Sequence, residues 1–247
     1  MISVTSVKYA CYQDARCIVV GTPSGVTLAP EGGAHQSIGT PLIGISQDGL
    51  AAFEPAFADE LAVIMEWAFD YLQRNGTGDP DERTWLRDET GGSVYLRLST
   101  NPVEQPRKRP DADWRQGVID GAYWLCKPGP NCEVVIAYQG AISPQAIAAA
   151  GALAEHRRDV GVLAVTSADR LNAGWTAAQR ARAREQTAAT GLVERLMQDL
   201  LPTCDRDRWP SRHAVLAGIG RRAPHDPLGV EHFGQTGTIS DLYRHFG

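Results

Sequence analysis

A chain of 247 residues, 43% hydrophobic and 21% charged, carries enough apolar material for one large domain or two small ones, each with a core. Its formal net charge of −5 argues against a nucleic-acid or anionic-membrane partner. No run approaches the ~18 apolar residues of a membrane span, and the opening MISVTSVKYACYQD lacks a basic region followed by an apolar stretch, so no secretory signal is visible.

Cys17-Ile18-Val19-Val20 reads as a short buried strand. From Gly21 to Pro41 nothing keeps a period, and so long an irregular connection in a compact domain is functional or disordered. Val26, Leu28, Ile38, Leu42 and Ile43 argue against disorder. Pro55 then opens a helix whose stripe is Phe57, Leu61, Ile64, Met65, Ala68 and Leu72, with Asp59 and Glu60 at its positive end and Asn75-Gly76 as its stop. SVYLRLS (93–99) alternates Val94, Leu96 and Leu98 against Tyr95 and Arg97, a strand signal. Between 101 and 113, Pro102, Pro106 and Pro110 among mixed charges mark a domain boundary, and RKR (107–109) is a solvated linker.

The second half has a βαβ rhythm. EVVIAY (133–138) is a strand, Gln139-Gly140 a turn, and Ser143-Pro144 starts an alanine-rich helix that runs to about Arg158. VGVLAVTS (160–167) is the next strand, and a further helix lies between Thr176 and Leu200. Strands alternating with helices predict an α/β fold with a mostly parallel sheet covered on both faces.

The recurrent nucleotide and hydrolase motifs are missing. There is no phosphate loop, no Gly-x-Gly-x-x-Gly opening a helix and no Gly-x-Ser-x-Gly elbow. His213, His225, His232 and His245 crowd the end without metal-ligand spacing, so no metal site is expected there. The five cysteines (Cys11, Cys17, Cys126, Cys132 and Cys204) show no Cys-x-x-Cys spacing, which fits free thiols in a reducing cytoplasm. One candidate site remains, APEGGAHQS (29–37). It places the Glu31 carboxylate four residues before the His35 imidazole, and flanking glycines let backbone approach a ligand. A histidine can exchange a proton with a developing oxyanion, and a nearby acid can orient it. A solvated turn is the competing reading of these residues.

VVGTPSGVTLAPEGGAHQS (19–37) resembles the active-site loop of thiamine diphosphate enzymes of the transketolase superfamily, most closely the homodimeric first (decarboxylating) component of pyruvate dehydrogenase. AAFEPAFADELAVIMEWAF (51–69), GVIDGAYWL (117–125), EVVIAYQGAISPQAIAAAGALAE (133–155), AVTSADRLN (164–172) and LGVEHFGQTGTISDLYRHFG (228–247) are similar to that family in collinear order. The resemblance implies part of a pyrimidine-binding domain over 1–113. It implies a transketolase C-terminal-like, three-layer α/β domain over 114–247. It also implies that His35 faces substrate, that Glu31 is its hydrogen-bonding support, and that the activity is decarboxylation of a 2-oxo acid with thiamine diphosphate and Mg²⁺. Pyruvate is the first substrate to consider, and ketol transfer between sugar phosphates is the alternative chemistry.

The same resemblance sets limits. The family's cofactor-activating glutamate, ring-stacking aromatics and Gly-Asp-Gly diphosphate site lie upstream of anything in this sequence, which predicts a chain inactive alone. The alternatives are a subunit completed by a separately encoded thiamine-binding chain, or a non-enzymatic docking module; the partner the resemblance implies is a second copy in a homodimer or such a thiamine-binding chain. DRDRWPSRHAVLAGIGRRAPHD (205–226) departs from the family pattern, which resumes at Leu228. Back-translated with synonymous codons and read one base later, it yields a β-run, a turn and an amphipathic helix. The reading predicts two compensating frameshifts around 205–226 and a poorly packed segment, because Arg206, Arg208, Arg212, Arg221 and Arg222 are costly to bury unpaired.

Overall fold

The computed structural model describes residues 4–22, 32–33, 39–45, 47–77, 87–106, 112–156, 159–184, 189–198 and 236–246. Two three-stranded sheets organise them. The first contains β1 (Ile18–Gly21), β2 (Leu50–Phe53) and β3 (Ser93–Arg97) in the order β1-β3-β2, with both pairings parallel. The second contains β4 (Ala122–Cys126), β5 (Val134–Gln139) and β6 (Val160–Val165) in the order β4-β6-β5. There β5 runs parallel to β6 and β4 antiparallel. The α/β class and the predominance of parallel pairing are therefore observed, with β4 as the antiparallel exception.

Alternation along the strands distributes the core between helices. On β2, Leu50 and Ala52 point with Tyr95 of β3 toward α1 (Val4–Tyr12), where Val7 and Cys11 meet them. Ala51 and Phe53 point with Val94 and Leu96 to the opposite face, against Val63, Ile64, Ala68 and Tyr71 of α3 (Ala58–Tyr71). Strand β3 is thus buried on both faces, although its sequence alternates apolar residues with Tyr95 and Arg97. A central strand has no solvent face, so its polar residues must find partners inside.

The second sheet is layered the same way. Tyr123, Val160, Val162 and Ala164 face Val118 and Ile119 of α4 (Trp114–Asp120) and Ala146 and Ala150 of α5 (Ser143–Ala154), in the same cluster that contains Phe53 and Ile64. Ala122, Trp124 and Leu163 face Leu171 of α6 (Ala168–Ala183) and Val193 of α7 (Leu192–Gln198). One continuous apolar cluster therefore spans both sheets. Each fully buried side chain of the size of Phe53, Ile64 or Leu96 contributes about 1.5–3 kcal/mol.

Several boundaries differ from those expected. Inside the long connection, Gly39–Leu42 forms a helical turn, α2. Helix α3 starts at Ala58, not Pro55, because the buried Glu60 carboxylate turns back to take the backbone N–H groups of Ala56 (2.7 Å) and Phe57 (3.0 Å). Helix α6 starts at Ala168, not Thr176, because Ser167 caps it by accepting the Arg170 N–H at 3.0 Å. It ends at Ala183, and α7 is a separate helix. The last helix, α8, spans Ile239–Phe246. Residues 205–226, and 107–111 of the linker, lie outside the described residues. Cys11, Cys17, Cys126 and Cys132 are free thiols, and Cys204 lies outside the described residues. No helix among the described residues is long and apolar enough to cross a membrane.

Candidate functional site

The carboxyl ends of β2 and β3 meet the end of β5 and the turn from β6 into α6. In open α/β sheets this is where ligands bind. The join is made by main chain. Strand β2 lies at the edge of its sheet, and its outward backbone groups are taken by the β6–α6 turn. The Ala52 N–H donates to Asp169 Oδ2 (3.2 Å), the Ser167 hydroxyl donates to the Ala52 carbonyl (2.5 Å), and the Glu54 N–H donates to the Thr166 carbonyl (2.7 Å). The turn itself is fixed by the Gly121 carbonyl, which accepts from the N–H groups of Thr166 (2.9 Å) and Ser167 (3.0 Å). Gly121 has φ +113°, and a Cβ there would stand 2.6 Å from the Ser167 carbonyl oxygen, so glycine is required.

A cavity of about 170 Å³ lies at this junction. Ala52, Phe53 and Glu54 with Tyr95 and Arg97 form one side, and Pro41, Leu42 and Ile45 form an apolar wall. Gln139, Ala168 and Asp169 close it from the second sheet. Glu54 and Arg97 are both buried, and Arg97 Nη1 donates to Glu54 Oε1 (3.2 Å) and Oε2 (3.0 Å). Arg97 Nε is buried without a partner. Gly140, at φ +63°, backs onto the pair, and a Cβ there would lie 2.6 Å from Glu54 Oε1. Tyr95 is buried beside them, and desolvation pushes its phenol above the ordinary value, with Arg97 opposing and Glu54 adding.

Two further polar links cross the junction. Tyr123 of β4 donates its hydroxyl to Glu60 Oε1 at 2.5 Å. Arg170 of α6 pairs with both carboxylate oxygens of Asp88 (3.0 and 3.2 Å), and its guanidinium lies 4.9 Å from the Trp67 ring centroid. Trp67 in turn stacks on Tyr71 at 4.3 Å.

No protein-family model matches this sequence. It is 29% identical over 96% of its length to the pyruvate dehydrogenase E1 component of Mycolicibacterium smegmatis, and it spans a quarter (25%) of that protein. Among solved structures, transketolase from Leishmania mexicana matches 99% of the chain at TM-score 0.64 and 19% identity. Transketolase from Campylobacter jejuni matches 98% at TM-score 0.65 and 14% identity. In both cases the chain covers about a third of the solved protein (30% and 31%). The chain shares the fold of about a third of these transketolases. The resemblance read from the sequence, including its likeness to the first component of pyruvate dehydrogenase, holds.

Within this transketolase-like chain, Glu31 and His35 lie outside the described residues. Gly32, between them, is buried at φ +106°, and a Cβ there would lie 3.2 Å from Thr236 Oγ1. Gly32 therefore rests beside Thr236, just before α8. The residues the structure gathers at the sheet junction, Glu54, Tyr95, Arg97, Gln139 and Asp169, went unremarked as a site in the sequence. One signal was available: Arg97 is a lone charge in an apolar strand and needs a buried counter-ion. Its partner 43 positions away was not readable.

Proposed function

We propose that this chain is part of a thiamine diphosphate-dependent enzyme acting on a 2-oxo acid, with pyruvate as the substrate to test first. The observation that supports it is the near-full-length, collinear likeness to a pyruvate dehydrogenase E1 component on a transketolase-type fold. In this reading residues 1–113 belong to the pyrimidine-binding domain and 114–247 to the C-terminal domain. His35 exchanges a proton with an oxygen of the bound substrate, and Glu31 holds the imidazole in place.

Thiamine diphosphate comprises two rings and a diphosphate that is held through Mg²⁺. Among the described residues no three His, Cys, Asp or Glu side chains converge as metal ligands. The cavity of about 170 Å³ is too small for the whole cofactor. The described residues do not form the cofactor site on their own. The proposal therefore includes a complementing polypeptide, a separately encoded thiamine-binding partner chain.

The test is reconstitution. The 247-residue protein is assayed for thiamine-dependent CO₂ release from pyruvate, alone and with the remaining three quarters of the M. smegmatis protein as a separate polypeptide. The expected result is silence alone and turnover together. Replacing His35 by Ala in the pair should then cost about 10²–10⁴-fold, as for a general acid–base group. Turnover by the chain alone overturns its incompleteness. A reconstituted pair without thiamine-dependent turnover overturns the assignment.

A further inference from the structure

We propose that the open edge of β1, with the flank of α3 beside it, is the surface on which the thiamine-binding partner chain docks, adding a β-strand and an apolar helix. The inference rests on the partner reading above and names its interface. Among the described residues β1 is an edge strand. The Cys17 and Gly21 carbonyls accept from the N–H groups of Val94 and Leu98, both at 2.9 Å, so alternation turns the N–H and C=O of Ile18 and Val20 to the open side. At the opposite edge, β2 has its outward groups taken by the β6–α6 turn. Strand β1 also lacks the usual guards of a solvent edge. Ile-Val-Val-Gly carries neither charge nor proline, and its register with β3 runs without a bulge.

The side chains call for a helix as well. Ile18 and Val20 pair with Val94 and Leu96 and so stand on the α3 face of the sheet. Val20 is 56% exposed there, and no other large apolar side chain on a strand is so exposed among the described residues. Helix α3 lies over β3 and β2 and turns Glu66 and Trp67 toward Arg115 of α4 (2.6 Å) and Arg170 of α6 (4.9 Å to the ring centroid). Its opposite flank therefore faces β1 and carries half-buried Leu61, Met65 and Leu72, with Phe69, 58% exposed, at the rim. Arg16 holds this end of α3 beside the start of β1 by donating to the carbonyls of Leu72 (3.4 Å) and Arg74 (3.0 Å). A strand alone would leave Val20 bare, and a helix alone would leave the edge unpaired. A second copy does not fit: β1 paired with its own copy would set the two α3 helices about 20 Å apart at ~4.8 Å per strand, roughly twice the separation of packed helices. The gap is one helix wide, so the occupant is a strand followed or preceded by its covering helix.

The experiment is amide hydrogen exchange and binding, with the 247-residue protein and the remaining three quarters of the M. smegmatis protein as the partner. Exchange at Ile18 and Val20 should slow by about tenfold or more in the complex. Val20→Pro should weaken association by about tenfold or more at unchanged thermal stability, because the lost N–H points outward and β3 keeps its ladder. Ile147→Lys, at a 42% exposed position on α5, should leave association unchanged. Undiminished binding by Val20→Pro, or unprotected Ile18 and Val20 in a complex that forms, overturns this surface, while turnover of that complex still upholds the thiamine assignment. Protection without thiamine-dependent turnover upholds the surface and overturns the assignment. Protection of the same amides in the chain alone at high concentration gives the edge to a second copy and overturns the proposal, and failure to form any complex overturns both.

Discussion

Glu60 and Tyr123 sit 63 positions apart, one in the first turn of α3 and the other on β4, and the Tyr123 hydroxyl donates to the fully buried Glu60 carboxylate. The other carboxylate oxygen takes two backbone N–H groups, so one side chain both starts a helix and holds the second sheet against it. Tyr123→Phe removes one donor from a buried carboxylate, and the expected loss is about 1–3 kcal/mol. Urea denaturation of the two proteins checks it.

The same residue gives a pH dependence with a definite sign. Burial raises the Glu60 carboxyl above the usual carboxylate range, and the Tyr123 and backbone donors only partly oppose this. The folded state therefore binds the Glu60 proton more readily than the unfolded chain does. This contribution to stability is fully present below the unfolded carboxyl's pKa and is lost as pH rises through the raised folded value. Relative to Glu60→Gln, the wild-type protein should gain stability on acidification. Denaturation midpoints across that interval measure the difference, and parallel pH profiles would contradict the assignment.

Glu54 and Arg97 form a buried pair whose disruption from one side should be severe. Arg97→Met leaves the Glu54 carboxylate uncompensated, at an expected cost of about 3–5 kcal/mol. Combining it with Glu54→Gln should recover much of that loss, because the stranded charge rather than the missing bond dominates. A double-mutant cycle separates the two, and strictly additive losses would refute the pairing as the cause.

How far the fold was legible depended on whether burial was apolar. The strand VGVLAV was readable because a strand covered on both faces carries a continuous apolar run, and VVIAY, a partly exposed edge strand, was readable from its β-branched and aromatic residues. Strand β2, Leu50–Phe53, was not readable: four residues, two of them alanine, show neither alternation nor strand propensity. The start of α6 was hidden for another reason. Asp169 and Arg170 are buried there as charged residues, answered by the Ala52 N–H and by Asp88, so no apolar period announces the first turn. The cavity site shares that difficulty, since its groups come from four separate segments that only the tertiary fold brings together. The loop of Glu31 and His35 was found through likeness to a family, because its own residues read equally well as a turn.

Two glycines should respond oppositely to alanine. Gly140 holds φ +63°, and a Cβ there would meet the Glu54 carboxylate, which cannot swing away without breaking its pair with Arg97. The left-handed backbone alone costs a non-glycine residue about 1–2 kcal/mol, and the displaced ion pair adds to it. Gly151 lies within α5, and nothing approaches its Cβ position within 4 Å. Alanine there removes unfolded-chain freedom and should stabilise by about 0.5–1 kcal/mol. Thermal unfolding of the two variants should move in opposite directions from the wild type. A neutral Gly140→Ala would mean that Glu54 has another place to go, and the ion pair would then be an adjustable contact rather than a fixed wall of the cavity.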